Sequence, residues 1–450
     1  MRIRDMTAGS PAKLLLVTAL PLMLGNMFQQ MYTVADAAVV GRGVGMAALA
    51  ALGSSDWFNW MWIAIAQGFA QGFSIPVAQA FGAKDYPELR RTVGNATVLS
   101  AALAVLIALA AQLSVLPALR LLDTPLEIRP TAIQYLRVLF AGLPIVMAYN
   151  LMAGILRAFG DSRSPLMAMV MASLLNIALD VLFVVALPFG VRGAAAATLI
   201  AQAFTCVYCF TRLRSLPFMR LNREDFQPEA RLERALVKLG LPVSLQNCVV
   251  AIGGMLLQRV ANPLGVVFIA GYTATNKLYG LLEVAAVSYG FAISTYTGQN
   301  IGARAPERVR KGLRAGLWIG AITAVLIGLC MFLFGRNIIG LFIEAGPDAE
   351  RAKDIACEYL YIMSAGLPIL YVLHVVRSML QGMGDTFNPM LSGVAEFFMR
   401  TGSALLLPQR IGHKGIFLAE VLAWAGADIV LVSAYLRAKG KLRTMEMEKA

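Results

Sequence analysis

The chain has 450 residues, of which 58% are hydrophobic and 14% charged, and its mean hydropathy is +0.67. Soluble proteins carry roughly 25% charged residues, so this composition excludes an ordinary soluble domain and indicates a polytopic membrane protein. A formal charge of +13 would suggest nucleic acid binding in a soluble chain. Here the basic residues cluster at one end of the apolar segments, and we expect no nucleic acid partner.

Twelve apolar stretches are each long enough to cross a membrane core of roughly 30 Å. They lie near 14–38, 52–78, 93–117, 131–156, 165–188, 190–213, 237–261, 266–297, 312–335, 354–380, 387–407 and 413–436. Most of the 39 Lys and Arg residues fall in the segments that are inside if the N-terminus is inside. Both termini are therefore expected in the cytoplasm. The first apolar run contains Pro21 and Asp36, which argues against a cleavable signal peptide.

One long polar linker, residues 212–238, divides the chain nearly in half. It predicts an N-terminal lobe over 1–214, a cytoplasmic linker over 215–236 and a C-terminal lobe over 237–450. The halves repeat each other, because 135–165 match 359–389 at eleven of 31 positions. Six spans per half is an even number, so the halves are expected to relate by an axis along the membrane normal and to move as near-rigid bodies.

Polar side chains inside the first, fifth and sixth spans point to an ion site. Asn176 and Asp180 are four residues apart and so share one helix face. Insertion of a charged side chain in a hydrocarbon-facing helix costs at least ~2.5 kcal/mol. An intramembrane Asp is therefore expected to have a function. Counted along their helices, Asp36 and Asp180 both lie in the outer half of the membrane, and Thr198 reaches the depth of Asp180. Pro21 is expected to kink the first span. The alternative is that the Asn/Asp pair only joins neighbouring helices.

The set Asp36, Asn176, Asp180 and Thr198 combines two carboxylates with an amide and a hydroxyl oxygen. Such hard oxygens suit Na⁺ or a shared proton. Two carboxylates close together in low dielectric do not both ionise easily, so one of them is expected to hold a proton near neutral pH.

The second half carries basic residues instead of this acidic pair. Its intramembrane charges include Lys277, Glu283, Arg377, Glu396 and Arg400. Glu396 and Arg400 are four residues apart, which predicts a structural ion pair within one helix. Lys277 and Glu283 are six apart and therefore need partners on other helices or a cavity.

The sequence contains few of the motifs that indicate an enzyme. There are two histidines, and neither an HExxH pattern nor a GxSxG elbow occurs. The five cysteines lie in apolar segments and are interpreted as packing residues. We expect neither enzyme activity nor a cofactor, although Asp36 and Asp180 leave an Asp-dependent intramembrane hydrolase as a remote alternative.

The sequence resembles the multidrug and toxic compound extrusion (MATE) family over essentially its whole length, in its DinF-like branch. The resemblance rests on the order and spacing of Pro21, the runs 29–42, 80–85 and 156–161, Pro165, and the runs 176–180, 190–195 and 298–303. It implies twelve helices in two six-helix lobes that form a V. It also implies export of organic, mostly cationic compounds by alternating access, in exchange for H⁺ or Na⁺.

The resemblance assigns the coupling ion to Asp36, Asn176, Asp180 and Thr198 in the N-terminal lobe. A substrate cavity is expected to include Gln29, Tyr32, Asn150, Lys277, Glu283 and Arg377. The partners are small organic molecules and the lipid bilayer, and we expect a multi-pass monomer in a bacterial-type inner membrane. The open alternative is a flippase for lipid-linked precursors or a dedicated metabolite exporter, because four basic residues lie in the second half.

Overall fold

The computed structural model describes residues 3–187, 189–343 and 348–447, and nearly all of them are helical. The helices are α1 Pro11–Gly43, α2 Met46–Gly82, α3 Tyr86–Leu121, α4 Arg129–Ala141, α5 Leu143–Ala158, α6 Arg163–Asp180, α7 Gly190–Arg214, α8 Ala230–Ala261, α9 Val266–Gly302, α10 Pro306–Ile339, α11 Ala349–Gly382, α12 Phe387–Leu406, α13 Pro408–Ile411 and α14 Lys414–Met447. A π-helical turn, Val181–Ala186, continues α6. The predicted all-α polytopic fold is confirmed.

The long helices correspond one by one to the predicted spans. Within the described residues, nine helices are long and apolar enough to cross a membrane, and the bent pair of α4 and α5 makes a tenth span. The remaining two long helices are α2 and α12, of 37 and 20 residues. At 1.5 Å per residue, α12 is about 30 Å long, which matches the thickness of the hydrocarbon core.

Contacts between Cα atoms group the described chain into two compact units. Unit 1 contains the described residues of Met1–Asp5 and Leu20–Ala251, and unit 2 contains those of Met6–Ala19 and Ile252–Ala450. This division differs from the boundaries predicted at the polar linker, since the first turns of α1 belong to unit 2 and most of α8 belongs to unit 1. The unit boundary in α1 falls between Ala19 and Leu20, one residue before Pro21, in the turn that a proline weakens.

Close packing explains why the start of α8 belongs to unit 1. The hydroxyl of Ser244 donates to the Ile65 carbonyl at 2.7 Å, and the Asn247 amide donates to the Ala64 carbonyl at 2.9 Å. A Cβ atom on Gly72 would lie 2.4 Å from the Cα of Gly240, so these glycines let the backbones of α2 and α8 approach. Polar side chains that the sequence assigned to the second half therefore stabilise unit 1.

The internal repeat is also visible in the turns between helices. After α2 and after α9, a basic residue adopts a positive φ angle, 59° at Lys84 and 50° at Arg304. Glycines occupy the same conformation after α5 and α11, at Gly160 (74°) and Gly384 (88°). Since positive φ is rare for residues with a Cβ atom, the match between Lys84 and Arg304 in particular indicates that the halves share backbone geometry as well as sequence.

One pair of repeated segments differs. In unit 1 the helix breaks at Gly142, and α4 and α5 meet at an angle of 45°. In unit 2 the matching residues Gly366 and Pro368 lie inside the unbroken α11. The sequence did not predict this difference, because both segments read Ala-Gly-Leu-Pro-Ile.

Candidate functional site

The end of α6 positions an acidic side chain inside unit 1. Asp180 is the last α-helical residue before the π-helical turn Val181–Ala186, and it is fully buried (0% exposed). A π turn widens the helix by one residue and is frequent at functional sites. Val184 of this turn lies against the end of α1, where a Cβ atom on Gly43 would be 2.8 Å from its side chain.

Asp36 of α1 faces Asp180 within hydrogen-bonding range, and the two carboxyl groups act electrostatically on each other. A hydrogen bond between two carboxyl groups requires a proton on one of them. One oxygen of each group, Oδ1 in both cases, is buried and makes no hydrogen bond to the described residues. The pair can therefore change its charge by binding or losing a single cation.

Asn176 and Thr198 also come together in unit 1. The Asn176 amide Nδ2 lies 3.5 Å from the Thr198 Oγ1, and the Thr198 hydroxyl donates to the Ala194 carbonyl at 3.1 Å. This contact joins α6 to α7 one turn before Asp180. In the described parts of the chain, no group of three or more His, Cys, Asp or Glu side chains could hold a metal ion. A Na⁺ ion at this site would therefore need amide and hydroxyl oxygens besides the two carboxylates.

The three other predicted residues of unit 1 lie at different distances from the acids. Tyr32 of α1 is within electrostatic range of Asp36 and Asp180, and its hydroxyl bonds with the side chain of Gln29. Asn150 of α5 donates to the Val146 carbonyl of its own helix at 2.8 Å. The structure thus places Tyr32 near the acidic pair, joins Gln29 to Tyr32, and gives Asn150 a bond within its own helix.

Tyr135 of α4 is a residue of this centre that the sequence analysis missed. It is buried, and the charges acting on it include Asp36, Asp56 and Asp180. The repeat contained a signal, because Tyr135 matches Tyr359. In unit 2, Tyr359 is fully buried and lies near the charges of Arg400 and Glu420. Both repeats therefore place this tyrosine beside a polar centre.

Unit 2 contains a chain of four alternating charges that joins three helices. Arg377 of α11 binds Glu396 of α12 at 2.9 Å, Glu396 binds Arg400 at 2.8 Å, and Arg400 binds Glu420 of α14 at 2.9 Å. The Arg377 guanidinium also donates to the Ser392 hydroxyl at 3.2 Å. The Glu396–Arg400 pair is confirmed, but the sequence did not predict that it extends to Arg377 and Glu420.

The remaining predicted residues of unit 2 lie on α9. Glu283 is half-buried and contacts the His374 Nε2 of α11 at 3.4 Å, so it has the expected partner on another helix. Lys277 is exposed. Arg377 of α11 is buried and pairs with Glu396. Of the three charged residues predicted for the substrate cavity, Glu283 and Lys277 on α9 are therefore the more accessible.

Comparison with known families decides the classification. The MatE family model matches residues 21–182 and, a second time, residues 242–413. The chain belongs to the MatE family. Its two matches coincide with the two sequence repeats, and the family consists of membrane transporters, so the expectation that the protein is not an enzyme is confirmed.

The chain is also similar to several curated MatE relatives. It is 27% identical to the probable multidrug resistance protein YpnP of Bacillus subtilis over 100% of both chains. It is 29% identical to the probable multidrug resistance protein YoeA of the same organism over 72% of each chain. DNA damage-inducible protein F of Escherichia coli is 26% identical over 93% of this chain and 91% of its own.

Solved structures agree with this fold. The crystal structure of MATE in complex with MaL6 superposes with a TM-score of 0.90 at 25% identity, over 99% of this chain and 100% of that one. A MOP superfamily transporter from Pyrococcus furiosus, in which the reverse polarity of the binding pocket suggests a different function, gives the same score and identity over 99% of both chains.

Proposed function

We propose that this MatE transporter is a secondary active multidrug antiporter that exports organic, mostly cationic compounds in exchange for H⁺ or Na⁺ by alternating access. The observation that supports this function is the acidic pair Asp36 and Asp180 in the apolar interior of unit 1. Burial of carboxylates in an apolar interior is energetically costly, so such residues are usually functional. The names of the relatives as multidrug resistance proteins agree with export of drugs.

In the proposed cycle, Asp36 and Asp180 bind the coupling ion, and Asn176 and Thr198 supply further oxygens beside them. Binding of H⁺ or Na⁺ removes negative charge from the centre and weakens its hold on a cationic compound. Loss of the ion restores that charge. An antiporter needs this competition, because ion and substrate have to bind to different states of one protein.

The arrangement of unit 2 favours organic cations over the anionic head groups of lipid-linked precursors. Of four basic residues in its spans, Arg377 and Arg400 are neutralised by Glu396 and Glu420. Arg259 and Lys277 are the other two, and both are exposed. A flippase for anionic lipid carriers would need a basic cavity, and two of the four cations have carboxylate partners here.

Transport into proteoliposomes tests this function. The protein is reconstituted, and uptake of a fluorescent organic cation is measured under a pH gradient alone and under a Na⁺ gradient alone. We expect one gradient to drive transport in the wild-type protein and Asp180→Asn to abolish it. Asp123→Asn is a matched control, since Asp123 is exposed and its φ of 51° is one that Asn tolerates well.

Two results would contradict the proposal. Driven transport by Asp180→Asn at the wild-type rate would remove the acidic pair from the mechanism. Uptake of a lipid-linked anion in place of the organic cation would favour the flippase instead.

We further propose that the protein acts as a monomer in a bacterial-type inner membrane with both termini in the cytoplasm. The placement of its basic residues favours this orientation of the termini.

A further inference from the structure

The charge chain of unit 2 is balanced. It contains two guanidinium groups, Arg377 and Arg400, and two carboxylates, Glu396 and Glu420, whose side chains are at most 14% exposed. Both oxygens of Glu396 are occupied, Oε1 by Arg400 and Oε2 by Arg377. Buried ions are tolerated when they are paired in this way, so these four groups need no further counterion.

A fifth charge, Asp428, adjoins this chain without a cation of its own. Asp428 lies on α14, two turns after Glu420, and the charges that act on it are those of Arg377 and Glu396. Its Oδ1 is buried and makes no hydrogen bond to any residue that the structure describes. An ionised Asp428 would therefore add an unbalanced negative charge to a buried cluster.

Within the described residues, Arg377 is the cation whose charge acts on Asp428. The other titratable groups near the cluster act on its glutamates, Glu283 of α9 on Glu420 and His374 of α11 on Glu396. The Arg377 guanidinium on α11 is engaged by Glu396 and Ser392. A Na⁺ ion at Asp428 would be repelled by that guanidinium, whereas a proton bound to the carboxyl neutralises it without adding a separate charge.

We propose that Asp428 is a proton-binding site of unit 2, separate from the acidic pair of unit 1. While the carboxyl is protonated, Arg377 stays with Glu396 and the charge chain remains balanced. When the proton leaves, Asp428 competes with Glu396 for Arg377. The site thus links the protonation of α14 to the contact between α11 and α12.

Infrared spectroscopy of the protein in lipid, with ¹³C-labelled Asp carboxyl groups, tests the site. The measurement uses an Asp36→Asn/Asp180→Asn background, so that the unit 1 pair contributes no signal and a failed antiport mechanism does not affect the result. Near neutral pH we expect one isotope-shifted band from a protonated carboxyl. Asp428→Asn should remove the band, and Asp123→Asn should keep it.

Two further variants separate proton binding from a merely structural role, because their expected effects have opposite signs. Glu396→Gln frees Arg377 to pair with Asp428, so the band should vanish near neutral pH. Arg377→Met removes that cation, so the band should persist to a pH at least about one unit higher, a tenfold change in proton affinity. Either shift establishes the dependence on Arg377 if the other variant does not fold.

Three outcomes would overturn the proposal. The first is the absence of a protonated Asp band in the background protein. The second is a band that survives Asp428→Asn, which would assign it to another aspartate. The third is a band whose pH dependence is the same in Glu396→Gln and Arg377→Met as in the background.

Discussion

Equivalent helix pairs hold the polar centres of the two units, but the charge balance of the centres differs. Between α6 and α7 of unit 1, an amide meets a hydroxyl, Asn176 and Thr198 at 3.5 Å, beside two carboxyl groups. Between α12 and α14 of unit 2, a guanidinium meets a carboxylate, Arg400 and Glu420 at 2.9 Å. The first centre is acidic, and the second is neutralised by its own ion pairs.

This difference indicates a division of labour between two copies of one architecture. A centre whose carboxylates lack a neighbouring guanidinium changes charge readily when a small cation arrives. A centre with paired charges keeps its net charge and fixes the positions of its helices, because separation of a buried ion pair is expensive. On the proposed function, we therefore expect ion coupling in unit 1 and helix anchoring by the four-charge chain of unit 2.

The largest expected effect concerns coupling. Asp36→Asn and Asp180→Asn should each reduce gradient-driven export to background while expression stays near normal, since a neutral isostere costs less to bury than the acid. The double variant should be scarcely worse than either single one, as for residues that act as a unit. Export rates in proteoliposomes at matched protein amounts provide the measurement.

Additive partial losses in this series would show two independent sites instead of one titrating pair. Such a result would also remove the contrast between the units, because unit 1 would then contain two separately compensated acids. Asp123→Asn, in the exposed loop after α3, should export at the wild-type rate.

The second expected effect concerns stability. Arg400→Gln leaves Glu396 and Glu420 with one cation fewer inside unit 2, and loss of one partner of a buried ion pair costs about 3–5 kcal/mol. We expect a markedly lower unfolding temperature in detergent. Arg410→Gln is the matched control, since Arg410 is exposed at the end of α13 and surface changes usually stay within about 0.5 kcal/mol. Equal unfolding temperatures for the two variants would contradict the anchoring role.

The sequence predicted the helices well because membrane spans depend on length and composition, both of which are local. It also predicted the Glu396–Arg400 pair, whose members share one helix face. It missed Glu420 and Asp428, although both lie in the last predicted span. The charges that act on them are on α11 and α12. Contacts between helices depend on packing that spacing along one helix does not reveal.

Two features of the unit 1 centre were also not predicted from the sequence. The π-helical turn after Asp180 consists of Val181–Ala186, whose apolar residues read as ordinary span. The break at Gly142 occurs in a segment that is nearly identical to the unbroken part of α11. In unit 1, Leu199 of α7 packs so closely against Gly142 that a Cβ atom there would lie 1.9 Å from its side chain. A Cβ atom on Gly366 would lie 2.7 Å from the Val421 side chain of α14, so both glycines pack closely against a neighbouring helix, and this contact alone does not account for the break.

A third, smaller effect concerns substrate choice in unit 2. Glu283 is half-buried, and its contact with His374 at 3.4 Å is longer than the other ion pairs. We expect Glu283→Gln to lower export of cationic compounds several-fold, with little change for neutral ones, because a partly exposed charge contributes about 1 kcal/mol. Export of a matched cationic and neutral pair provides the measurement, and Glu307→Gln, on the exposed start of α10, is the control. Equal loss for all compounds would place Glu283 in coupling and remove the division between the units.

The smallest expected effect on H⁺-driven export belongs to a variant that distinguishes the two candidate coupling ions. Thr198→Val keeps the shape of the side chain and removes the hydroxyl that lies 3.5 Å from the Asn176 amide. A proton on the Asp36–Asp180 pair needs no ligand from Thr198, so H⁺-driven export should change by less than about threefold, as expected for one weak hydrogen bond. A Na⁺ ion would lose a coordinating oxygen, and its apparent affinity should fall by about tenfold, or 1.4 kcal/mol. Thr198→Ser keeps the hydroxyl and should behave like the wild type in both cases. If Thr198→Val abolishes transport under every gradient while Thr198→Ser does not, the hydroxyl belongs to the transport cycle itself, and the acidic pair alone is not the coupling site.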